Sequence, residues 1–378
     1  MSALEYQFPD PNKAPTAYLD VAVNSFNNIM GRWDNTSCGG GLKWQIYPEN
    51  SYGYDYKNAI SNGCAFALGA RLARYTGNQT YATQAIKAYD WTKKVGLISD
   101  HYEVFDGTDD KKNCTKVADT TQWSYNSAMF LHGSAVMYDI TNGNSTWKDR
   151  VSGFLSNAEK VFFTPYDNAT NIMFESACET GETGRHCNLD QQSFKAYLSR
   201  CMAKTAIMAP FTKDSITQFL TASAIGAAKS CSGGADGKTC GSKWYTGGWD
   251  GTSGVGQQLS ALEVTQALLM LQNGTVPAKK DAAQSEAATS TNSTSAFQPG
   301  EKQPSTCTPS VTKTVYRSPS MATVNGRTDS SASSDGCLSV PSPSPSQIHQ
   351  SAGSAMHVRA TDASRFAAGI VAMLAAML

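Results

Sequence analysis

The chain has 378 residues, 31 basic against 31 acidic side chains, and only 16% charged residues, where an average soluble domain has roughly a quarter. That balance builds no basic surface, so nucleic acid and acidic lipid are not expected partners and a neutral ligand is favoured. The last hundred residues hold too few large apolar side chains to bury a core, which leaves one globular domain.

The segment from Met1 to Pro9 has neither a basic n-region nor an apolar h-region, so a secretory signal peptide is expected to be missing from this chain. From about Ala17 to Leu271, helical patterns alternate with Gly-rich loops. Ile60, Cys64, Leu68 and Leu72 recur at every fourth residue, and Val151, Leu155, Ala158 and Phe162 at three or four, the spacing of one buried helix face. No run of strict alternation competes with these patterns, and the domain is read as all-α.

Gly77-Asn78-Gln79-Thr80-Tyr81 and Gly143-Asn144-Ser145-Thr146-Trp147 share one joint pattern, in which Gly takes the left-handed C′ position and Ser or Thr is expected to cap the next helix. Ala209-Pro210-Phe211-Thr212 makes a third tight joint. Long loops near 33–57, 97–121, 164–189 and 231–254 fall between them. Short joints at one rim and long loops at the other describe either a ring of αα-hairpins, with function at the long-loop rim, or an ordinary helical bundle.

The long loops are chemically alike. Trp33, Trp44, Tyr52, Tyr54, Asp55 and Tyr56 fall in the first, and Trp244, Tyr245, Trp249 and Asp250 in the last. Rings with carboxylates and amides between them suit a glycan cleft, because sugars offer apolar faces for stacking and hydroxyls for directional hydrogen bonds. Each ring taken alone reads more readily as a loop plug.

Ten cysteines are present and none sits in a C-x-x-C pair, so no zinc site or other cofactor is read. Cys178 and Cys187 flank one Gly-rich loop and Cys231 and Cys240 another, as disulfide staples would in an oxidising compartment. Sequons at Asn35, Asn78, Asn113, Asn144, Asn168, Asn273 and Asn292 agree with passage through the secretory lumen.

After residues 1–274, the helical domain, composition shifts to Ser, Thr, Pro, Ala and Gln. Residues 275–350 are read as a disordered, O-glycosylated stalk. Residues 351–378 are read as a GPI-anchor signal: the small residues Ser351, Ala352, Gly353 and Ser354, a polar spacer, and an apolar tail from Phe366 shorter than the roughly 20 residues that span a bilayer. A short tail anchor is the other reading.

Several segments, in order, resemble glycoside hydrolase family 76, the fungal mannan endo-1,6-alpha-mannosidase group. They are Arg32-Trp33-Asp34 with Cys38-Gly39-Gly40-Gly41-Leu42-Lys43-Trp44-Gln45, then Tyr54-Asp55-Tyr56-Lys57-Asn58 with Ser61-Asn62-Gly63, then Gln122-Trp123-Ser124-Tyr125-Asn126. Asp190-Gln191-Gln192-Ser193-Phe194-Lys195-Ala196-Tyr197 and Gly248-Trp249-Asp250-Gly251 complete the set. The resemblance implies an alpha/alpha six-hairpin toroid, attachment to the plasma membrane or cell wall through a GPI anchor, and retaining cleavage or transfer of alpha-1,6-mannosidic linkages in wall mannan or GPI-mannoprotein glycans. The alternative is a non-catalytic glycan-binding or structural wall protein.

Retaining chemistry needs two carboxyl groups about 5 Å apart. In the family the pair is an Asp-Asp near the start of a helix whose last turns Met1-Ser2-Ala3-Leu4-Glu5-Tyr6 resemble. The pair is therefore expected upstream of Met1, with the N-terminal hairpins of the toroid, and no catalytic residue is assigned. Asp109-Asp110, the one adjacent Asp pair, sits in a polar loop and reads as turn chemistry. Candidate glycan contacts are Trp44, Asp55, Trp123, Tyr125, Asp190, Gln191 and Trp249. Asp190 reads equally as a helix cap or as a rim group for a sugar hydroxyl.

Overall fold

The computed structural model describes residues 1–9 and 16–280. The stalk from residue 281, the Asn292 sequon, the attachment region Ser351–Ser354 and the apolar tail lie outside them.

Helix α1 spans Ser2–Glu5 and α2 spans Tyr18–Gly31. Helices α3 (Ala59–Thr76), α5 (Ser124–Ile140), α7 (Phe194–Met208) and α9 (Val255–Asn273) then pack side by side in chain order as an inner row. The intervening helices, α4 (Gln79–Lys94), α6 (Ser145–Phe162) and α8 (Lys213–Ser230), fold back on them as hairpin partners. Chain order places the starts of α3, α5 and α7 at the long loops and their ends at the short joints, an arc of αα-hairpins. No helix among the described residues is long and apolar enough to cross a membrane.

The joints explain why the hairpins are tight. Gly77 takes φ 73° at the end of α3, a conformation that costs a residue with a Cβ. The cap of the next helix differs from the expectation. Asn78 itself, not the Thr, accepts from Thr80 N at 2.9 Å, and Asn144 accepts from Thr146 N at 3.0 Å. Each Asn stands at the N-cap, so the Thr two residues on supplies the orphan N–H that the cap satisfies. All six described sequon asparagines are exposed, and Asn78 and Asn144 cap through Oδ1, leaving Nδ2 outward.

The stripe read on α6 is buried as the spacing predicts: Val151, Ala158 and Phe162 are fully buried and Leu155 nearly so. The stripe read on α3 is not the buried face. Only Leu72 of its members is buried, because an inner helix is packed on both neighbours and its core contacts come from Ala59, Phe66, Ala70 and Ala73 instead. Phe66 stacks on Phe130 of α5 at 5.9 Å and on Trp147 of α6 at 5.9 Å. The close approach depends on Gly133, where a Cβ would stand 2.5 Å from the Phe66 ring.

The all-α reading also passed over a small antiparallel sheet, ordered β1 (Tyr56–Asn58), β2 (Phe105–Asp109) and β3 (Val117–Gln122). Its strands are three to six residues long and polar, so no alternating pattern marks them. They join the first two long loops into one wall.

At the opposite end, Glu5 accepts from Arg71 Nε at 2.9 Å and Nη2 at 2.6 Å, with Lys204 at 3.8 Å. Burial works to raise the Glu5 carboxyl, but the Arg71 bonds and the charges of Arg71 and Lys204 outweigh it and hold the group at about 2, below the ordinary 4.5. The folded value is the depressed one. Its stabilisation is therefore present above pH 4.5 and lost as pH falls toward 2. In urea unfolding across that window, Glu5→Gln should remove roughly 2–3 kcal/mol of the acid-dependent loss seen in the parent.

Candidate functional site

The first two long loops meet at one rim, joined there by Asp190 just after the third. Lys57, fully buried on β1, donates from Nζ to the carbonyls of Asp34 (3.1 Å), Ser37 (3.0 Å) and Gly40 (2.7 Å) and pairs with Asp34 at 3.0 Å. One lysine thus holds the turn from 34 to 40, whose carbonyls have no strand to satisfy them. The Cys38–Cys114 disulfide and the Lys43–Asp110 ion pair at 2.5 Å bind this loop to the second. The other two described disulfides are Cys178–Cys187 and Cys231–Cys240, as the flanking pattern predicts.

On this frame lies a cleft of about 760 Å³, walled by Trp44, Tyr52, Asp55, Tyr56, Asp106, Asp119, Tyr125 and Asp190 among others. Trp44 is held by donating its backbone N–H to Tyr56 O at 2.7 Å, and its ring stands edge-on to Tyr52 and Tyr56, leaving 41% of the residue exposed. Across the cleft, Tyr125 stacks on Phe194 at 4.0 Å. Asp190 lines the cleft and, among the described residues, makes no helix-cap bond, hydrogen bond or ion pair through its carboxylate. Asp55 pairs with Lys111.

The carboxylate that sequence reasoning missed is Asp106. It accepts from Tyr56 Oη at 2.8 Å and Asn126 Nδ2 at 3.1 Å. Burial pushes it up from its ordinary value, against those two bonds and with the help of the Asp119 charge. The only sequence signal was an Asp-Gly step, which reads as a turn. Its neighbours Asp109 and Asp110 are structural. Asp109 caps a 3-10 turn at Lys111 N and pairs with Lys112 at 3.4 Å, and Asp110 pairs with Lys43.

Three candidates do not line the cleft. Trp123 is 7% exposed and packs edge-to-face on Phe194, because it precedes α5 on the core side of the turn. Gln191 closes a local turn by accepting from Asn188 N at 3.0 Å. Trp249 lies over Gly233 and donates to Thr252 O at 2.6 Å, anchoring the fourth long loop, which stays outside the cleft. Trp44, Asp55, Tyr125 and Asp190 are brought together.

Below the cleft a second cavity of about 610 Å³ runs between α3, α5 and α7, sharing Ile60, Tyr125 and Asp190 with it and reaching Ser2, Arg71 and Lys204. His132 on its wall is buried with both ring nitrogens unpartnered, and burial holds its imidazole well below the ordinary value. Cys64 and Cys201, free thiols, also face it. Among the described residues no group of three His, Cys, Asp or Glu side chains is placed to hold a metal ion.

Aromatic faces opposite unneutralised carboxylates, at the open rim of an arc of αα-hairpins, make a carbohydrate-binding arrangement. The chain belongs to glycosyl hydrolase family 76, whose model matches residues 1–281. It is 49% identical over 266 residues to the mannan endo-1,6-alpha-mannosidase DCW1 of Saccharomyces cerevisiae, covering 70% of this chain and 57% of that protein. The chain thus spans little more than half the length of that relative. It is also similar to the crystal structure of Dfg5 from Chaetomium thermophilum in complex with glucosamine, with TM-score 0.66 and 40% identity over 74% of this chain and 67% of that one. A more distant fold match, TM-score 0.53 at 19% identity over 67% of this chain and 69% of the other, is an inactive variant of the GH76A alpha-1,6-mannanase from Salegentibacter sp., with two consecutive aspartates replaced, in complex with alpha-1,6-mannotriose.

Proposed function

We propose that the rim cleft receives an alpha-1,6-linked mannose chain and that the protein acts as a mannan endo-1,6-alpha-mannosidase, hydrolysing or transferring these linkages in wall mannan or GPI-mannoprotein glycans. The observation that carries this reading is Asp106, held by Tyr56 and Asn126 with the exposed Trp44 ring on the same cleft wall. The retaining acid pair is assigned to no residue here. It would have to act where the cleft opens into the central cavity, since Tyr125 and Asp190 line both. In this reading the protein works at the outer face of the plasma membrane or in the cell wall, held by a GPI anchor attached near Ser351–Ser354.

A charged hydrogen bond to a sugar hydroxyl is worth about 1.5–3 kcal/mol. Asp106→Ala should therefore weaken alpha-1,6-mannotriose binding roughly ten- to a hundredfold by calorimetry, while Asp167→Ala, at an exposed position outside the cleft lining, leaves it within a factor of two. Equal effects of the two substitutions would remove the cleft assignment. Incubation with longer alpha-1,6-mannan oligosaccharides separates the two functional classes: turnover supports the enzyme, and binding without turnover supports a glycan-binding wall protein.

One observation favours a second ligand. Asp55, Asp106, Asp109, Asp119 and Asp190 face the cleft against Lys111, an excess of negative charge that suits a protonated amino sugar beside neutral mannose. The glucosamine bound in the fungal Dfg5 structure is of that kind.

A further inference from the structure

The first turn of α5 carries Tyr125, which lines the cleft, and Asn126, which holds the cleft's Asp106, yet it begins without a cap of its own. Trp123 stands at the N-cap position and offers no side-chain acceptor. The acceptor comes from 51 residues further along the chain. Glu175 Oε1 takes the Ser124 N–H at 3.0 Å, and Ser124 Oγ donates to Oε2 of the same carboxyl. Glu175 is fully buried, reached through the bridge between Phe163 and Met173 that starts the third long loop.

The two residues after Ser124 are those that shape the site. Tyr125 lines both cavities, and Asn126 donates to Asp106. Asn126 Oδ1 has no partner, so its amide is oriented by the Asp106 bond and by the backbone it hangs from.

We propose that Glu175 is a positioning residue of the glycan cleft: by closing on Ser124 it fixes the first turn of α5, and through it the Asn126 amide that holds Asp106. The proposal rests on the reading of the cleft given above. Burial pushes the Glu175 carboxyl up to about 8, against the Ser124 bonds and with the Glu179 charge adding to the rise. Around it stand Ser124, Glu179 and, beyond, Lys195. At neutral pH the group is mostly protonated, and glutamine is its isostere.

The test is a double-mutant cycle on the full chain with alpha-1,6-mannotriose as ligand. Glu175→Ala should weaken binding about tenfold in the parent but by less than twofold in an Asp106→Ala background, because both changes break the same line of contacts. Glu175→Gln, which keeps an oxygen for the Ser124 N–H, should restore most of the loss. Losses that add in the double variant, or an unchanged affinity with only a lowered melting temperature, would overturn the proposal. Should Glu175→Ala not fold, Ser124→Ala removes the second bond alone and should couple to Asp106 in the same sense. Amide hydrogen exchange keeps this apart from the functional reading. If the parent fails to bind mannotriose, the reading of the cleft falls, whereas faster exchange at Ser124 and Tyr125 in Glu175→Ala than in the parent still reports the positioning, and unchanged exchange there rejects it.

Discussion

Lys195→Ala is expected to destabilise the protein by about 3–5 kcal/mol, the usual cost of leaving one member of a buried ion pair without the other. Lys195 and Glu179 are both almost fully buried, with Nζ and Oε1 2.7 Å apart. The ammonium also donates to Ser242 O at 2.5 Å and lies 4.0 Å over the Trp244 ring, so its three surroundings are an anion, a carbonyl and a π face. Glu179 is less well served. Its Oε2 has no hydrogen-bond partner, and without Lys195 the whole carboxylate would sit uncompensated beside Glu175. Burial already raises the Glu179 carboxyl, and Lys195 is the first force opposing that rise. The loss from Lys195→Ala should therefore be larger at pH 8 than at pH 5, where the orphaned group can take a proton. Urea unfolding at the two pH values checks this. Lys195→Met combined with Glu179→Leu should recover most of the loss, since replacing both charges by apolar groups removes the desolvation cost as well as the attraction. A double variant as unstable as Lys195→Ala would show that Lys195 acts through Ser242 and Trp244 rather than through Glu179.

Replacing Cys38 and Cys114 by serine is expected to cost about 4 kcal/mol, more than removing either of the other disulfides. The bridge encloses a segment of 76 residues that includes all of α3 and α4, whereas Cys178–Cys187 and Cys231–Cys240 each span 9. On a loop-closure argument the longer loop restricts the unfolded chain more, about 4 against about 2.5 kcal/mol. The same bridge ties the loop carrying Trp44 to the strand carrying Asp106. Ligand affinity should fall with stability for this pair, and stability alone should fall for Cys231 and Cys240, which lie at the loop outside the cleft. Thermal unfolding of the three double-serine variants gives the order, and an equal loss in all three would contradict it.

The tight joints and the helical spacing on α6 were open to reading because they rest on local chemistry. The Gly-Asn-x-Thr joints and the apolar stripe on α6 follow from backbone conformation and one-sided burial, both of which operate within a few residues. The stripe on α3 misled because an inner helix has no single buried face. Its burial is set by α4 and α5, which no local spacing encodes. The short sheet was invisible for a similar reason: its register pairs Lys57 with Thr108 of a separate loop and folds the second loop on itself at Gly107 and Asp119.

Site residues divided along the same line. Trp44, Asp55, Tyr125 and Asp190 stand out as rings and acids in loops or at helix starts, and the structure gathers them at one rim. Trp123 and Trp249 look the same in sequence, yet one points into the core and the other anchors its own loop. Whether a loop tryptophan faces ligand or core depends on which side of a turn the backbone presents, and that is fixed by distant partners such as Phe194 and Gly233.

By itself, then, the sequence determined an all-helical framework, the two short-range disulfides, the aromatic and acidic character of the long loops, and the family. Tertiary structure alone decided which long loops converge, that Cys38 pairs with Cys114, and that Asp106, held by Tyr56 and Asn126, enters the cleft while Asp110 turns away to Lys43. The physical reason is range. Caps, turns and helical periodicity act over a handful of residues, whereas a cleft is made where buried polar groups such as Lys57, Lys195 and Glu175 must find partners tens of residues away or remain unsatisfied in the core.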